Sequence, residues 1–234
     1  MTIWFTSDLH FGHPLVARLR GYDDPDLPEE ELVARHDTKI VNMINAHAGC
    51  DDTLYILGDV SSGSHRSVTM AAHALRGLNV PAKRRHLILG NHETRSCTAV
   101  YTELWPLFCE IANMGELDAE DNDGHAWRLI LSHYPYRHLM DGEHSDERST
   151  NATNPILSTH APEWYGHRNE RLLHGHTHAK TIFDFADRAG GYDQLHIGWD
   201  AWHRPVSLDE LLPLLDPANA RAYPDHPLDH GSRH

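Results

Sequence analysis

The chain has 234 residues, 40% hydrophobic and 23% charged, an ordinary composition for a folded domain that excludes wholesale disorder. A formal charge of −14 argues against broad binding to a nucleic-acid backbone, which needs Lys and Arg to displace counterions. The longest apolar runs, such as LYIL and HLILG, are too short to span a bilayer, and the start MTIWFTSDLH lacks the marks of a signal peptide; with three cysteines that read as reduced thiols, a cytosolic location is expected.

The first 95 residues alternate short apolar runs with helical patterns. TIWFTS (2–7) reads as a buried strand running into Asp8-Leu9-His10. Residues 29–47 place Leu32, Val33, Ile40, Val41 and Ile44 on one face, after Pro28 and an acidic first turn, which predicts a helix. TLYIL (53–57) runs into Gly58-Asp59, residues 66–78 carry Val68, Ala71, Leu75 and Leu78 at helical spacing, and RHLIL (85–89) runs into Gly90-Asn91-His92-Glu93. Strand, helix, strand, helix, strand predicts an α/β layered domain.

The second half changes character. NDG at 122–124, before HAWRLILSH, predicts a hairpin turn with its partner strand in 109–118; the strand WRLIL (127–131) then ends at Ser132-His133. Residues 141–170, rich in Asp, Glu, Ser, Asn and Pro, predict a long irregular segment of the lid type with one helical turn near 158–165. RLL (171–173) leads into HGHTH, whose His174, His176 and His178 would all point one way if the segment were extended. QLHIGWD (194–200) reads as a further strand. Ser207-Leu208-Asp209-Glu210 is a capping box with a Val206/Leu211 staple, opening a last helix that Pro213 shortens or kinks. One domain over 1–215 and a poorly ordered tail over 216–234 complete the expected organisation.

The polar clusters at the strand ends carry the chemistry. Asp8, His10, Asp59, Asn91, His92, His133, His176 and His178 all stand where α/β sheets place their binding sites. Carboxylate and amide oxygens with imidazole nitrogens suit hard-to-borderline metals, and without cysteine a thiolate-rich zinc site is disfavoured. Histidine, at 22 residues, is unusually abundant and is the commonest metal ligand. So many donors are too many for one tetrahedral ion and suit two ions that share a carboxylate, an arrangement used to clamp both oxygens in phosphoryl transfer. Singly, each block has a plain reading: Asp8 caps a helix, Asp59 closes a turn, Asn91 sits in a left-handed turn. The ordered set is what points to a site.

That set, DLH (8–10), GD (58–59), GNHE (90–93), SH (132–133) and GHTH (175–178), resembles the calcineurin-like metallophosphoesterases. FTSDLHFGH and the late HIGWDAWHRPVSLDEL are similar to small bacterial and phage members of that family. The resemblance implies a four-layer α/β/β/α sandwich of mixed sheets. It implies Asp8, His10 and His178 on a first metal ion, Asn91, His133 and His176 on a second, and Asp59 bridging both. It further implies hydrolysis of a phosphate ester by a metal-bridging hydroxide, with His92 orienting or protonating the leaving oxygen. The implied cofactors are two divalent transition-metal ions, manganese first, with iron, zinc, nickel or cobalt as alternatives. Two divalent cations against two carboxylates and a hydroxide leave a positive site, attractive to phosphate within a negatively charged molecule.

The expected substrate is a small phosphodiester, a cyclic nucleotide or a nucleotide-type ester, because the chain is short and acidic. The alternatives are a phosphomonoesterase, protein phosphatases included, a catalytically inactive binding scaffold, and a histidine-rich metal store. Proton competition for the histidines predicts activity falling below about pH 6. Outside the pattern the readings divide. His13 reaches the site or lies on the surface, Glu93 supports the ligands or a helix start, and His174 supports the ligands or packs beneath the site. Arg66, Arg137 and His138 hold phosphate or are ordinary surface residues.

Overall fold

The computed structural model describes residues 1–95, 99–140, 160–187 and 189–222. In the first half the strands are β1 (Ile3–Thr6), β2 (Thr53–Leu57), β3 (Arg85–Ile88), the short β4 (Thr94–Arg95) and β5 (Ala99–Val100), and β6 (Glu110–Ala112). There follow β7 (Gly115–Glu120), β8 (Ala126–Leu131), β9 (Glu170–His174), β10 (Gln194–His196) and β11 (Val206–Ser207). One sheet has the order β11-β1-β2-β3-β6, with β11 antiparallel to β1 and the rest parallel. A second has the order β10-β9-β8-β7, parallel except for β7 against β8. The protein is therefore α/β with two mixed sheets, and β4 pairs with β5 apart from both.

Alternation along the strands divides their side chains between cores. Leu54, Ile56 and Leu87 pack with residues of the long helices, among them Ile40, Ile44, Val68 and Leu75. Their neighbours Leu57 and Ile88, with Phe5, pack instead with Leu129, Leu131, Leu173 and Leu195 of the second sheet. Ile130 and Leu172 turn to a third cluster with Tyr136 and Leu139. Each fully buried Leu, Ile or Phe contributes roughly 1.5–3 kcal/mol, so the mutual burial of the two sheets fixes how their strand ends meet.

The helices follow their expected causes. In α2 (Glu29–His47), Glu29, Glu30 and Glu31 sit where the helix dipole favours negative charge, and Leu32, His36, Ile40 and Ile44 recur every fourth residue on the buried face. Helix α3 (His65–Arg76) is capped by the Ser64 hydroxyl, which accepts the N–H of Ser67. Shorter helices are α1 (Pro14–Leu19), α4 (Arg137–Met140), α5 (Trp199–Trp202), α6 (Leu208–Leu211) and α7 (Pro217–Ala222). Among the described residues no helix is long and apolar enough to cross a membrane.

Four expectations need correction. The hairpin partner is β7, Gly115–Glu120, while the front of the predicted 109–118 strand is β6 in the other sheet. The chain changes sheets there, so the one predicted strand covers parts of two. The strand expected over 194–200 ends at His196, and Trp199–Trp202 is helical. The helical turn expected near 158–165 is absent over 160–165, and 158–159 lie outside the described residues. The tail expected from 216 begins instead with α7, whose Ala220 is buried in the core with Leu214 and Leu215; 223–234 lie outside the described residues.

Candidate metal centre

All the candidate residues follow the C-terminal ends of parallel strands: β1, β2 and β3 in the first sheet, β8 and β9 in the second. The loops are laced to one another. Asp8 and His10 donate their backbone N–H to the carbonyls of Gly58 and Asp59 at 3.1 and 3.0 Å, and His176 donates its N–H to the Asp8 carboxylate at 3.1 Å. Among the described residues six that are not glycine have positive φ: Asp8, His10, Asp59, His176, His178 and His203. Five of the six are candidate ligands. A side chain in the left-handed region costs roughly 1–3 kcal/mol and persists where the surroundings enforce it, commonly at functional sites.

The donor atoms converge in two sets. In the first, Nε2 of His10 and Nε2 of His178 are 3.1 Å apart, and Asp8 Oδ1 is 4.0 Å from the latter. In the second, Asn91 Oδ1, His133 Nε2 and His176 Nδ1 form a triangle with sides of 3.0, 3.1 and 3.2 Å. Asp59 Oδ2 lies between the sets, 3.7 Å from His10 Nε2 and 3.6 Å from His133 Nε2. Ligands held about 2.0–2.2 Å from one ion are roughly 3–3.5 Å from each other, so the triangle and the His10–His178 pair have the spacing of an ion's coordination edges, while Asp8 stands wider at 4.0 Å.

Ring orientation agrees with this. Nδ1 of His133 donates its proton to the carbonyl of Leu57 at 2.8 Å, which leaves Nε2 as a lone pair facing Asn91 and His176. Asp8, His10, Asp59 and His133 are buried, while the side chains of His92 and His178 are 31% and 38% exposed and mark the open side. Burial alone would raise the Asp8 carboxyl, yet the surrounding charges of His133, His178 and His10 hold it well below the usual range. Burial, then the negative charge of Asp8, pushes Asp59 well above that range. The two buried carboxylates therefore differ, Asp8 favouring its ionised form and Asp59 its protonated one.

Glycines admit these contacts. A Cβ at Gly58, itself at φ 89°, would collide with the His133 ring. A Cβ at Gly175 would collide with Ser7 Oγ and Asp8 Oδ2. Gly175 has no positive φ, so the divergence of His176 and His178 comes from their own left-handed backbones. His174 remains in β9, fully buried, with Nδ1–H donating to the carbonyl of Gly175 at 2.9 Å.

The remaining candidates sort by contact. His92 is not in either triangle; its Nε2 stands 3.8 Å from Asp59 Oδ2, and burial, then the charge of His133, push its ring down to about 4. Glu93 is fully buried, accepting the N–H groups of Asp59, Val60 and Gly90 at 3.0, 2.8 and 2.7 Å, and so shapes the loop that presents Asp59. Burial pushes its carboxyl up to about 7, against the pull of those donors. His13 is half-buried with its ring centroid 5.5 Å from that of His10. Arg66 pairs with Glu30 at 2.9 Å and Arg137 with Glu163 at 2.7 Å. The side chain of His138 lies outside the described residues. Sequence reasoning missed Asp200, whose Oδ2 accepts the Nδ1–H of His178 at 2.8 Å. It stood in HIGWDAWH and passed for the end of a strand.

Fold and site together define an α/β protein of two mixed sheets with a carboxylate–imidazole cluster across their strand ends. No protein-family model matches the chain. It is 33% identical over 223 residues to the Gene 66 protein of Mycobacterium phage L5, covering 91% of this chain and 93% of that protein. The Gene 66 protein of Mycobacterium phage D29 is 33% identical over 216 residues, covering 89% and 93%. The chain therefore belongs to the family of these phage Gene 66 proteins. The crystal structure of a protein of unknown function from Aquifex aeolicus is similar in fold, with a TM-score of 0.53 at 19% identity over 90% of this chain and 97% of that one.

Proposed function

We propose that the chain is a dinuclear metal-dependent phosphoesterase that hydrolyses a small phosphodiester, of cyclic-nucleotide or nucleotide type, on a four-layer α/β/β/α sandwich. The observation that carries this is the convergence of seven donor atoms into two sets joined by Asp59, five of the donors on left-handed backbone. Asp8, His10 and His178 would hold one ion, Asn91, His133 and His176 the other, and Asp59 both. Bound there, two divalent ions, manganese foremost, supply an acidified water and neutralise phosphoryl oxygens.

The chain's own contribution is placement. His92 stands at the open side as a neutral imidazole, able to donate a hydrogen bond to a leaving oxygen and, once phosphate charge raises its pKa, a proton. The diester is favoured over the monoester by where the arginines are engaged. Arg66 and Arg137 are turned to Glu30 and Glu163, which leaves a monoanionic diester better matched than a dianionic monoester.

The test is hydrolysis of bis-p-nitrophenyl phosphate and cyclic nucleotides against p-nitrophenyl phosphate and phosphopeptides, beside metal analysis. Preference for the monoesters overturns the diester assignment, and two bound ions without turnover leave a binding scaffold. Uptake well above two ions would mark a metal store. For His92→Ala, a rate loss of roughly 10²–10⁴-fold with metal content retained is expected; loss of metal would refute its assigned place.

A further inference from the structure

The turn that carries Asp8 and His10 is held by a residue well outside the ligand motifs. Arg20, just past the end of α1, has a side chain only 5% exposed, and each of its five N–H groups meets an acceptor. Nε and Nη2 make a fork on Asp200, to Oδ1 and Oδ2, both at 2.8 Å. Nη2 also donates to the carbonyl of Asp8 at 2.7 Å. Nη1 donates to the carbonyl of Leu9 at 3.2 Å and to His36 Nε2 at 3.1 Å. A guanidinium only donates, so Nε2 of His36 is the accepting nitrogen and its Nδ1–H donates to Asp37 Oδ1 at 2.8 Å. Asp37 Oδ2 in turn accepts the N–H of Gly12 at 2.9 Å, beyond the far end of the same turn.

Two constraints come out of this one pair. The carboxylate of Asp200 can only accept, so the proton of the His178 ring is on Nδ1 and the Nε2 lone pair faces His10. The carbonyls of Asp8 and Leu9, in a segment with φ of 58° at Asp8 and 49° at His10, are held by a cationic donor with no freedom to drift. All these contacts reach the first set of donors. Asn91, His133 and His176 receive none of them, and His133 is oriented separately by the carbonyl of Leu57.

We propose that the Arg20–Asp200 pair is the positioning device of the first metal site, setting the His178 ring and the Asp8–His10 turn together, and that it tunes this site independently of the second. The inference rests on the dinuclear reading above. It assigns Arg20 and Asp200 a place in metal affinity, and no contact with substrate.

Titration of the full chain with manganese or zinc, read by calorimetry and metal analysis, tests it without any activity assay. Wild-type protein is expected to bind two ions. Asp200→Asn keeps the volume and an acceptor for the His178 ring but loses the charge and the fork; it is expected to hold one ion at wild-type affinity and the other roughly 10–100-fold more weakly. Arg20→Lys should weaken the same ion, because an ammonium cannot make the fork. In a His176→Ala background, which removes a ligand of the second set, Asp200→Asn should weaken the one ion that remains. Equal weakening of both ions, or of neither, overturns the proposal and leaves the dinuclear reading standing. A wild-type protein that binds no ion overturns both. Should the variants not fold, proton–nitrogen correlation spectra of chelated wild-type protein in alkaline solution decide the matter: His178 should carry its proton on Nδ1, and a proton on Nε2 overturns the proposal.

Discussion

His178 illustrates how much a single φ angle decides here. Its backbone sits at φ 53°, where an L side chain is strained. Removing the ring in two ways separates the backbone from the chemistry. Glycine relieves roughly 1–2 kcal/mol of left-handed strain relative to alanine, and loses roughly 0.4–1 kcal/mol through its freer unfolded chain. Strain relief wins, so with chelator present His178→Gly is expected to be more stable than His178→Ala by about 0.5–1 kcal/mol. Urea denaturation of the two variants checks this, and a more stable alanine variant would mean the backbone there is unstrained. The same angles explain what was legible in HGHTH. Alternation alone made His174, His176 and His178 one row, whereas His176 at φ 72° and His178 at φ 53° leave the strand and separate toward different partners. The motif set both apart from His174 as candidates, yet nothing local could reveal Asp200 or Arg20. Their fork joins positions 180 residues apart, and hydrogen bonds at that separation leave no periodic trace.

Strand ends and helix faces were readable because their causes are local. The 29–47 helix has its acidic start and its fourth-residue apolar repeat within its own span, and the structure places it at Glu29–His47. The sheet change between β6 and β7 was not readable, because two strands of different sheets follow one another without a turn signal. The capping box at Ser207 was readable and is complete, with Glu210 accepting from the Ser207 N–H at 3.0 Å and the Ser207 hydroxyl accepting from the Glu210 N–H at 3.3 Å. That gives a pH prediction with a definite sign. Burial would raise the Glu210 carboxyl, but the donors of Arg204 and Ser207 hold it at about 2, against an ordinary value of 4.5. A pKa lower in the folded chain than in the unfolded one stabilises above the unfolded value and is lost as pH falls through the folded one. Stability should therefore decline between pH 4.5 and about 2 partly through this group. Glu210→Gln should be less stable at neutral pH and show a shallower decline over that window in urea denaturation. An unchanged slope would mean that the ion pair, whose glutamate is 39% exposed, is too screened by solvent to matter.

The two sheets already share a core, and the donor atoms add a second join. Asp8, His10, Asp59 and Asn91 follow strands of the first sheet, His133, His176 and His178 those of the second, so each donor set draws on both. Metal-free, this junction confines two carboxylates and several imidazoles in a buried place, an arrangement that favours neither full ionisation nor full protonation. Cations that bind only the folded chain would remove that conflict and stabilise it by mass action, about 2.7 kcal/mol per site at a hundredfold excess over the dissociation constant. For a chain of this length each kcal/mol moves Tm by roughly 2–4 °C, so loading both sites should raise Tm by on the order of 10 °C or more. The expected experiment is thermal unfolding of the full chain with chelator, then with graded manganese. Tm should climb with metal concentration and fall back when chelator is restored. Because each ion would span the sheets, near-ultraviolet signals of Tyr134, whose ring centroid is 4.9 Å from those of both His133 and His176, should change along the same titration. A Tm indifferent to metal would mean that the donors, however well spaced, do not hold an ion across the junction, and the dinuclear reading would fail with it.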